Sequence, residues 1–254
     1  MITVLDNFNP ETDYFKDPYP HVVIKNALPK DLYETLANTF PTQQMKEKLP
    51  LIEGHTHRYL AKDVLYVKKI PVSKEWETFF RTHTSQEYYE KVLELFKNDM
   101  PYGKDVIEKQ VNVRGVDEVN GDMVTDTQFV VHNPIKTGTT RTTHIDNPQE
   151  LYAGLLYFRQ PNDKSTGGDF EIFDTPDVKR VLKRKGREVT EDTKKTLVRT
   201  VKYEPNTFVM FLNTGQSVHG VTPRQDAEVE RLSINIIAET RSKQNLLFKL
   251  LHVG

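Results

Sequence analysis

No cysteine occurs anywhere in the 254 residues. That excludes disulfides, thiolate nucleophiles and sulfur-based zinc sites, so any metal must be held by His, Asp or Glu. Long apolar runs are missing too: no stretch approaches the ~20 residues of a membrane-spanning helix. Met1–Asp13 carries acids and asparagines rather than the basic-then-apolar order of a signal peptide. Nor is there an excess of charge, since 35 Lys and Arg against 36 Asp and Glu leave −1. No global field therefore selects nucleic acid or an anionic membrane as partner. A G-x-S-x-G elbow, an H-E-x-x-H helix and a phosphate-cradling glycine loop are all absent, which disfavours a hydrolase. The expectation is a cytoplasmic protein with no membrane span and no nucleic-acid partner. Nothing in the sequence selects an oligomeric state.

What is present is a polar globular chain with a mean hydropathy of −0.61 and 10% aromatics, enough large apolar side chains to oppose disorder. In the first half, His21–Lys25 reads as a short strand. Pro29 opens a helix whose Leu28, Leu32, Leu36 and Phe40 form one stripe, and Pro41 stops it. Ser73 caps a helix carrying Trp76, Phe79 and Phe80. Thr84 with Glu87 fits a capping box for a second helix with Tyr88, Tyr89, Val92, Leu93 and Phe96 on its buried face. From about residue 124 the texture turns to strands, at 127–132, 152–158, 170–173, 197–203, 207–212 and 232–238, separated by Gly, Asn, Asp and Pro clusters. The pattern predicts a mainly β fold with flanking α-helices, a sheet sandwich or jelly roll. One domain is expected over 1–254, with a helix-rich portion at 1–123, the β core at 124–240 and an extension at 241–254.

Of eight histidines only His144 stands in an H-x-D step, with Asp146. Residues two apart on an extended segment share a face, so both can converge on one ion while Ile145 points into the core. Alone the step is little better than chance. His219 follows the apolar strand 207–212 and a Gly-containing turn. A surface or core histidine at a strand end is the alternative there. Two His and one carboxylate on one face of an octahedral ion leave three positions open, a set that suits non-haem iron(II). Arg231 and Ser233 come about a dozen positions after His219 and again share a strand face. If 221–229 is a hairpin-like connection, Arg231 lies on the strand next to His219, where its planar fork suits a carboxylate. A sheet-surface ion pair with Glu228 or Glu230 is the alternative.

His144-x-Asp146, distal His219 and Arg231-x-Ser233 together resemble the iron(II)- and 2-oxoglutarate-dependent oxygenases with a double-stranded β-helix core, in particular the prolyl-4-hydroxylase-like branch. Gly154–Phe158, Gly167–Phe173, Glu204–Phe211 and the opening Pro20–Ile24 with Leu28-Pro29 are similar to further stretches of that family. The resemblance covers roughly 18–40 and 125–240. It implies iron(II) held by His144, Asp146 and His219, and 2-oxoglutarate with its far carboxylate on Arg231 and Ser233. Consumption of O2, release of succinate and CO2, and hydroxylation of an unactivated C–H would follow. Many members of that branch use Lys for the far carboxylate and a Tyr on the strand before H-x-D, where this chain has Arg231 and, near the Tyr position, Gln128, His132 and Asn133. The departure weakens proline as the substrate; a small molecule or a peptide fits equally.

Other readings compete. His55-Thr56-His57 resembles the first step of a cupin site, but no Glu follows between 58 and 74, so both histidines read as loop residues. The alkyl-repair demethylases share H-x-D and the distal His but place a second Arg six residues after the first, and position 237 is Ile. The basic run 178–187 reads as a solvated insertion with a helical turn, with a docking patch for an anionic substrate as the alternative. A non-catalytic jelly-roll module that keeps its metal or ligand without turning over oxygen is the reading from a different class.

Overall fold

The computed structural model describes residues 1–52, 55–100, 110–116, 123–134, 137–138, 142–243 and 245–250. The first half supplies β1 (Tyr14–Phe15), β2 (His21–Lys25), α1 (Lys30–Asn38), α2 (Thr42–Lys48), β3 (Thr56–Leu60), α3 (Lys74–His83), α4 (Gln86–Leu95) and β4 (Val111–Val113). The second half supplies β5 (Met123–His132), β6 (Thr137–Gly138), β7 (Glu150–Tyr157), β8 (Phe170–Asp174), α5 (Val178–Leu182) and β9 (Thr196–Val201). It continues with β10 (Thr207–Leu212), β11 (His219–Val221), β12 (Arg224–Gln225), β13 (Arg231–Thr240) and α6 (Leu246–Leu250).

Eight strands build one large sheet in the order β1-β2-β10-β7-β13-β5-β3, with β4 parallel beside β5. Three build a small sheet, β11-β8-β9, and β12 pairs with β6. The two-residue period of the strands gives the large sheet two unlike faces. On one, Leu232, Ile234, Ile236 and Ala238 join Phe129, Val131, Leu156, Phe208 and Met210 in a core shared with the helices. On the other, Ile237, Ala153, Tyr157, Val209 and Phe211 meet Phe170, Ile172 and Val201 of the small sheet. The result is three layers: helices, large sheet, small sheet. It is the expected mainly β jelly roll, whose sheets do not close into a barrel.

The helical layer is anchored by Trp76, fully buried with its ring 4.5 Å from that of Phe129 in an edge-on contact. Its indole Nε1 donates to the Leu36 carbonyl at 3.1 Å, so the one polar atom of the ring is satisfied inside the core. Ser73 Oγ accepts from the Trp76 amide at 3.3 Å, as expected of a cap. The second cap differs from the sequence expectation by one residue. α3 runs through His83, so Thr84 terminates it, its hydroxyl donating to the Phe80 carbonyl at 2.8 Å. Ser85 Oγ takes the Tyr88 amide instead, at 3.2 Å.

His55 lies in a turn as expected, but His57 does not lie in a loop. Thr56–Leu60 is β3, paired antiparallel with β5. Strand alternation turns His57 and Tyr59 toward the helices, with His57 Nδ1 donating to the Leu49 carbonyl at 2.9 Å. Arg58 faces the other way.

His83 makes the stability of this layer pH-dependent. The ring is buried, Nδ1 donates to the Phe79 carbonyl at 2.8 Å, and Nε2 accepts the Val4 amide at 3.2 Å, which fixes the neutral form. Burial pushes its pKa down to about 4 from 6.5. Between those values the unfolded chain binds a proton that the fold refuses. The contribution is complete above about pH 6.5 and is lost as the pH falls toward 4, by about 3 kcal/mol in all. Urea midpoints measured from pH 7 to pH 4 are expected to fall accordingly, and His83→Gln is expected to flatten that slope.

Candidate metal centre

His144, Asp146 and His219 converge, all buried, with ligand atoms within 4.8 Å of one another. Asp146 Oδ1 lies 3.1 Å from His144 Nε2, and its Oδ2 lies 3.4 Å from His219 Nε2. Bonds of ~2.1 Å to an octahedral ion put adjacent ligand atoms about 3 Å apart, so the spacing suits one shared cation. Each imidazole is oriented from behind. His144 Nδ1 donates to the Thr142 carbonyl at 2.6 Å and His219 Nδ1 to the Ser217 carbonyl at 2.9 Å, which leaves both Nε2 lone pairs facing Asp146.

Backbone pairing joins the two histidine segments. The His144 amide donates to the His219 carbonyl at 2.8 Å and the reverse bond is 3.0 Å. His219 is further held between the Phe170 ring, stacked at 5.2 Å, and the Phe211 ring at 4.6 Å. Ile145 is fully buried beside Phe173 and Val218, the inward direction expected of the residue between two ligands.

The last residue of the basic run 178–187 supports this loop. Arg180 and Arg184 both pair with Asp192, the latter at 2.9 Å. Arg187, in a left-handed conformation at φ 54, donates through Nε to the carbonyls of Ile145 at 3.1 Å and Asp146 at 2.9 Å. The Ile145 amide and the Val189 amide complete the seam, bonding the Arg187 and Thr143 carbonyls at 3.1 and 2.8 Å. Arg187→Met is expected to weaken iron(II) binding about tenfold, the effect of losing a partner behind a ligand. Competition against a coloured chelator measures it; unchanged affinity would remove Arg187 from the site's support.

Arg231 reaches the same pocket by a route other than the hairpin considered from sequence. β11 belongs to the small sheet and β13 to the large one, with β12 between them in the chain pairing elsewhere, so the two strands are not neighbours. The Arg231 side chain crosses the space between the sheets instead. It is 1% exposed, and its guanidinium carbon lies 5.0 Å from the Tyr157 ring centre and 4.8 Å from that of Tyr203. Nε donates to the Gly168 carbonyl at 3.2 Å, while Nη2 is buried without a hydrogen-bond partner. The turn that presents this carbonyl needs both glycines, with φ +75 at Gly167 and +76 at Gly168; a Cβ on Gly167 would lie 2.0 Å from the Pro223 carbonyl oxygen. Glu230, one possible partner for Arg231, pairs with Lys46 at 2.5 Å instead. Ser233 Oγ is likewise buried and unpartnered. A buried guanidinium edge and a hydroxyl with nothing to bind are what a carboxylate would complete.

Tyr157 and Tyr203, which flank Arg231, escaped sequence reasoning because they come from β7 and the turn after β9. Burial pushes the Tyr157 phenol up to about 12 against the pull of Arg231, so it stays protonated. The pocket is also lined by Arg58, His132, Glu150 and Asn235. Of the residues noted near the expected Tyr position, His132 lines the pocket and Gln128 hydrogen-bonds Arg58, while Asn133 sits outside on the His57 side.

Residues 127–238 match the family described as the 2OG-Fe(II) oxygenase superfamily. No curated protein matches this sequence. Among solved structures, a prolyl-4-hydroxylase of Pseudomonas putida is 17% identical over 94% of this chain and 97% of its own, with a TM-score of 0.45. A bsmA homolog from Methylobium petroleophilum is 12% identical over 91% and 90%, at 0.48. HygX from Streptomyces hygroscopicus, solved with nickel and 2-oxoglutarate bound, is 12% identical over 87% and 83%, at 0.42.

Proposed function

We propose that this chain, whose residues 127–238 belong to the 2OG-Fe(II) oxygenase superfamily, hydroxylates an unactivated C–H with release of succinate and CO2. The family uses iron(II), 2-oxoglutarate and O2, and a His-Asp-His site is present here. The observation that carries the reading is Arg231: a buried cation with an unpartnered Nη2, lining the same pocket as three converging metal-type ligands. His144, Asp146 and His219 are assigned to the metal, Arg231 and Ser233 to the far carboxylate of 2-oxoglutarate. Bound iron(II) would supply the place where O2 is activated against the cosubstrate. The protein's own part is to orient both imidazoles through Thr142 and Ser217, to dock the cosubstrate, and to exclude water with Phe170, Phe211 and Ile237. Among the described residues no helix is long and apolar enough to cross a membrane.

Succinate formation tests the reading. With iron(II), 2-oxoglutarate and a panel of amino acids, peptides and sugars, at least one compound is expected to raise succinate output in an O2-dependent way. No O2-dependent succinate with any of them would favour the non-catalytic binding module.

A further inference from the structure

One wall of the pocket has no task in the chemistry proposed above. β3 and β5 carry it, and its most basic residue is Arg58. By register Arg58 stands opposite Val130, which stands opposite Ser233, so the Arg58 and Ser233 Cα atoms are two strands, about 10 Å, apart. Arg58 and Arg231 therefore approach the pocket from different sides.

The Arg58 head is held in place by a neutral amide. Nη1 donates to Gln128 Oε1 at 3.0 Å, and Gln128 Nε2 donates to Asp126 Oδ2 at 2.7 Å. The Asp126 carboxylate is already engaged by Arg114 at 3.6 Å and by the Ala61 amide at 3.0 Å. Among the described residues Arg58 has no acidic ion-pair partner. Glu150, the pocket's other carboxylate beside Asp146, begins β7 opposite Glu239, three strands across the sheet from β3. His132 feels the surplus: desolvation first, then Arg231, Arg58 and Arg224, hold its imidazole well below the usual histidine range. Asp146 and the two carboxylates of 2-oxoglutarate balance iron(II) and Arg231, and the remaining lining charges, Arg58 and Glu150, stand three strands apart rather than as a pair.

The row next to Arg58 adds a second feature. Asn235 is opposite Gln128 in register, lines the pocket, and has a buried Oδ1 with no hydrogen-bond partner. A tethered guanidinium beside an orphan acceptor suits a ligand with an anion next to an N–H or O–H donor.

Resting on the iron(II)/2-oxoglutarate reading, we infer that the substrate carries an anionic group, a carboxylate or a phosphate, which Arg58 receives on the side of the pocket away from Arg231. Positive charge for an anionic substrate is thus found inside the pocket itself, while the arginines of the basic run 178–187 are engaged with Asp192 and the Ile145 carbonyl.

The test is calorimetric. Acetate, glycine and inorganic phosphate are titrated separately into protein loaded with manganese(II) and 2-oxoglutarate, and in parallel into metal-free protein. At least one probe is expected to bind in the millimolar range and to bind Arg58→Gln at least tenfold more weakly. Arg58→Lys, which keeps the charge, is expected to lose threefold or less, which separates loss of charge from loss of fold. The 2-oxoglutarate affinity of Arg58→Gln is expected to stay within twofold. Preference for acetate or glycine over phosphate identifies a carboxylate substrate, and the reverse a phosphate. Probes that bind Arg58→Gln as well as the parent, or that do not bind the parent at all, overturn the inference, as does a 2-oxoglutarate affinity lost with Arg58. Arg58-dependent binding in the metal-free arm would stand even if no iron complex forms, so the two readings fail separately.

Discussion

Arg231→Met is expected to make the protein more stable and at the same time unable to hold 2-oxoglutarate. The guanidinium is 1% exposed, has no acidic partner among the described residues, and leaves Nη2 without a hydrogen bond. Desolvating a charge costs several kcal/mol, and the Tyr157 and Tyr203 faces return only part of it. An apolar side chain of similar length in the same slot removes that cost. The gain expected is on the order of 1–3 kcal/mol, a rise of several degrees in Tm for a chain of this size. Against it stands the loss of a buried, charge-assisted pair with the cosubstrate, about 2–5 kcal/mol, or roughly 30-fold to several thousand-fold in Kd. Thermal melts with and without 2-oxoglutarate read both effects: the variant should melt higher alone and gain nothing from the ligand. A variant that melts lower alone would mean that Arg231 serves the fold.

The second large effect concerns Asp146. It is the one carboxylate between the two Nε2 atoms, at 3.1 and 3.4 Å, and so supplies the only negative charge of the trio. Asp146→Ala is expected to lower iron(II) affinity by more than the roughly 10–100-fold that loss of an outer partner costs, and to abolish succinate formation. Asp146→Glu keeps the charge but advances the oxygens by one methylene, beyond the tolerance of about 0.5 Å that a preorganised site allows. It should recover part of the metal affinity and little of the activity. Equal activity in Asp146→Glu and the parent would show that the geometry described for Asp146 is not required.

Much of this was readable in the sequence because periodicity reports local geometry directly. The alternation Leu232, Ile234, Ile236 fixed which face of β13 looks into the helices, and hence that Arg231 and Ser233 look away. H-x-D placed two ligands on one side of an extended segment for the same reason. What escaped reading was set by pairing across long stretches of chain. Thr56–Leu60, with His57, reads as a loop from sequence because its partner, β5, lies some seventy residues later; once paired, Arg58 faces the pocket and His57 does not. Tyr157 and Tyr203 meet around Arg231 only because β7 and the end of β9 face each other across the two sheets. Likewise Arg187 looked like part of a solvated charge run, and only the fold brings it to the carbonyls of Ile145 and Asp146.

The central claim is that His144, Asp146 and His219 hold iron(II) with 2-oxoglutarate docked on Arg231, and an anaerobic visible titration tests it most directly. Adding 2-oxoglutarate to the iron(II) protein is expected to give a weak visible charge-transfer band that saturates with one cosubstrate per chain, and that His144→Ala lacks. A band unchanged in His144→Ala, or no band in the parent protein, would contradict it.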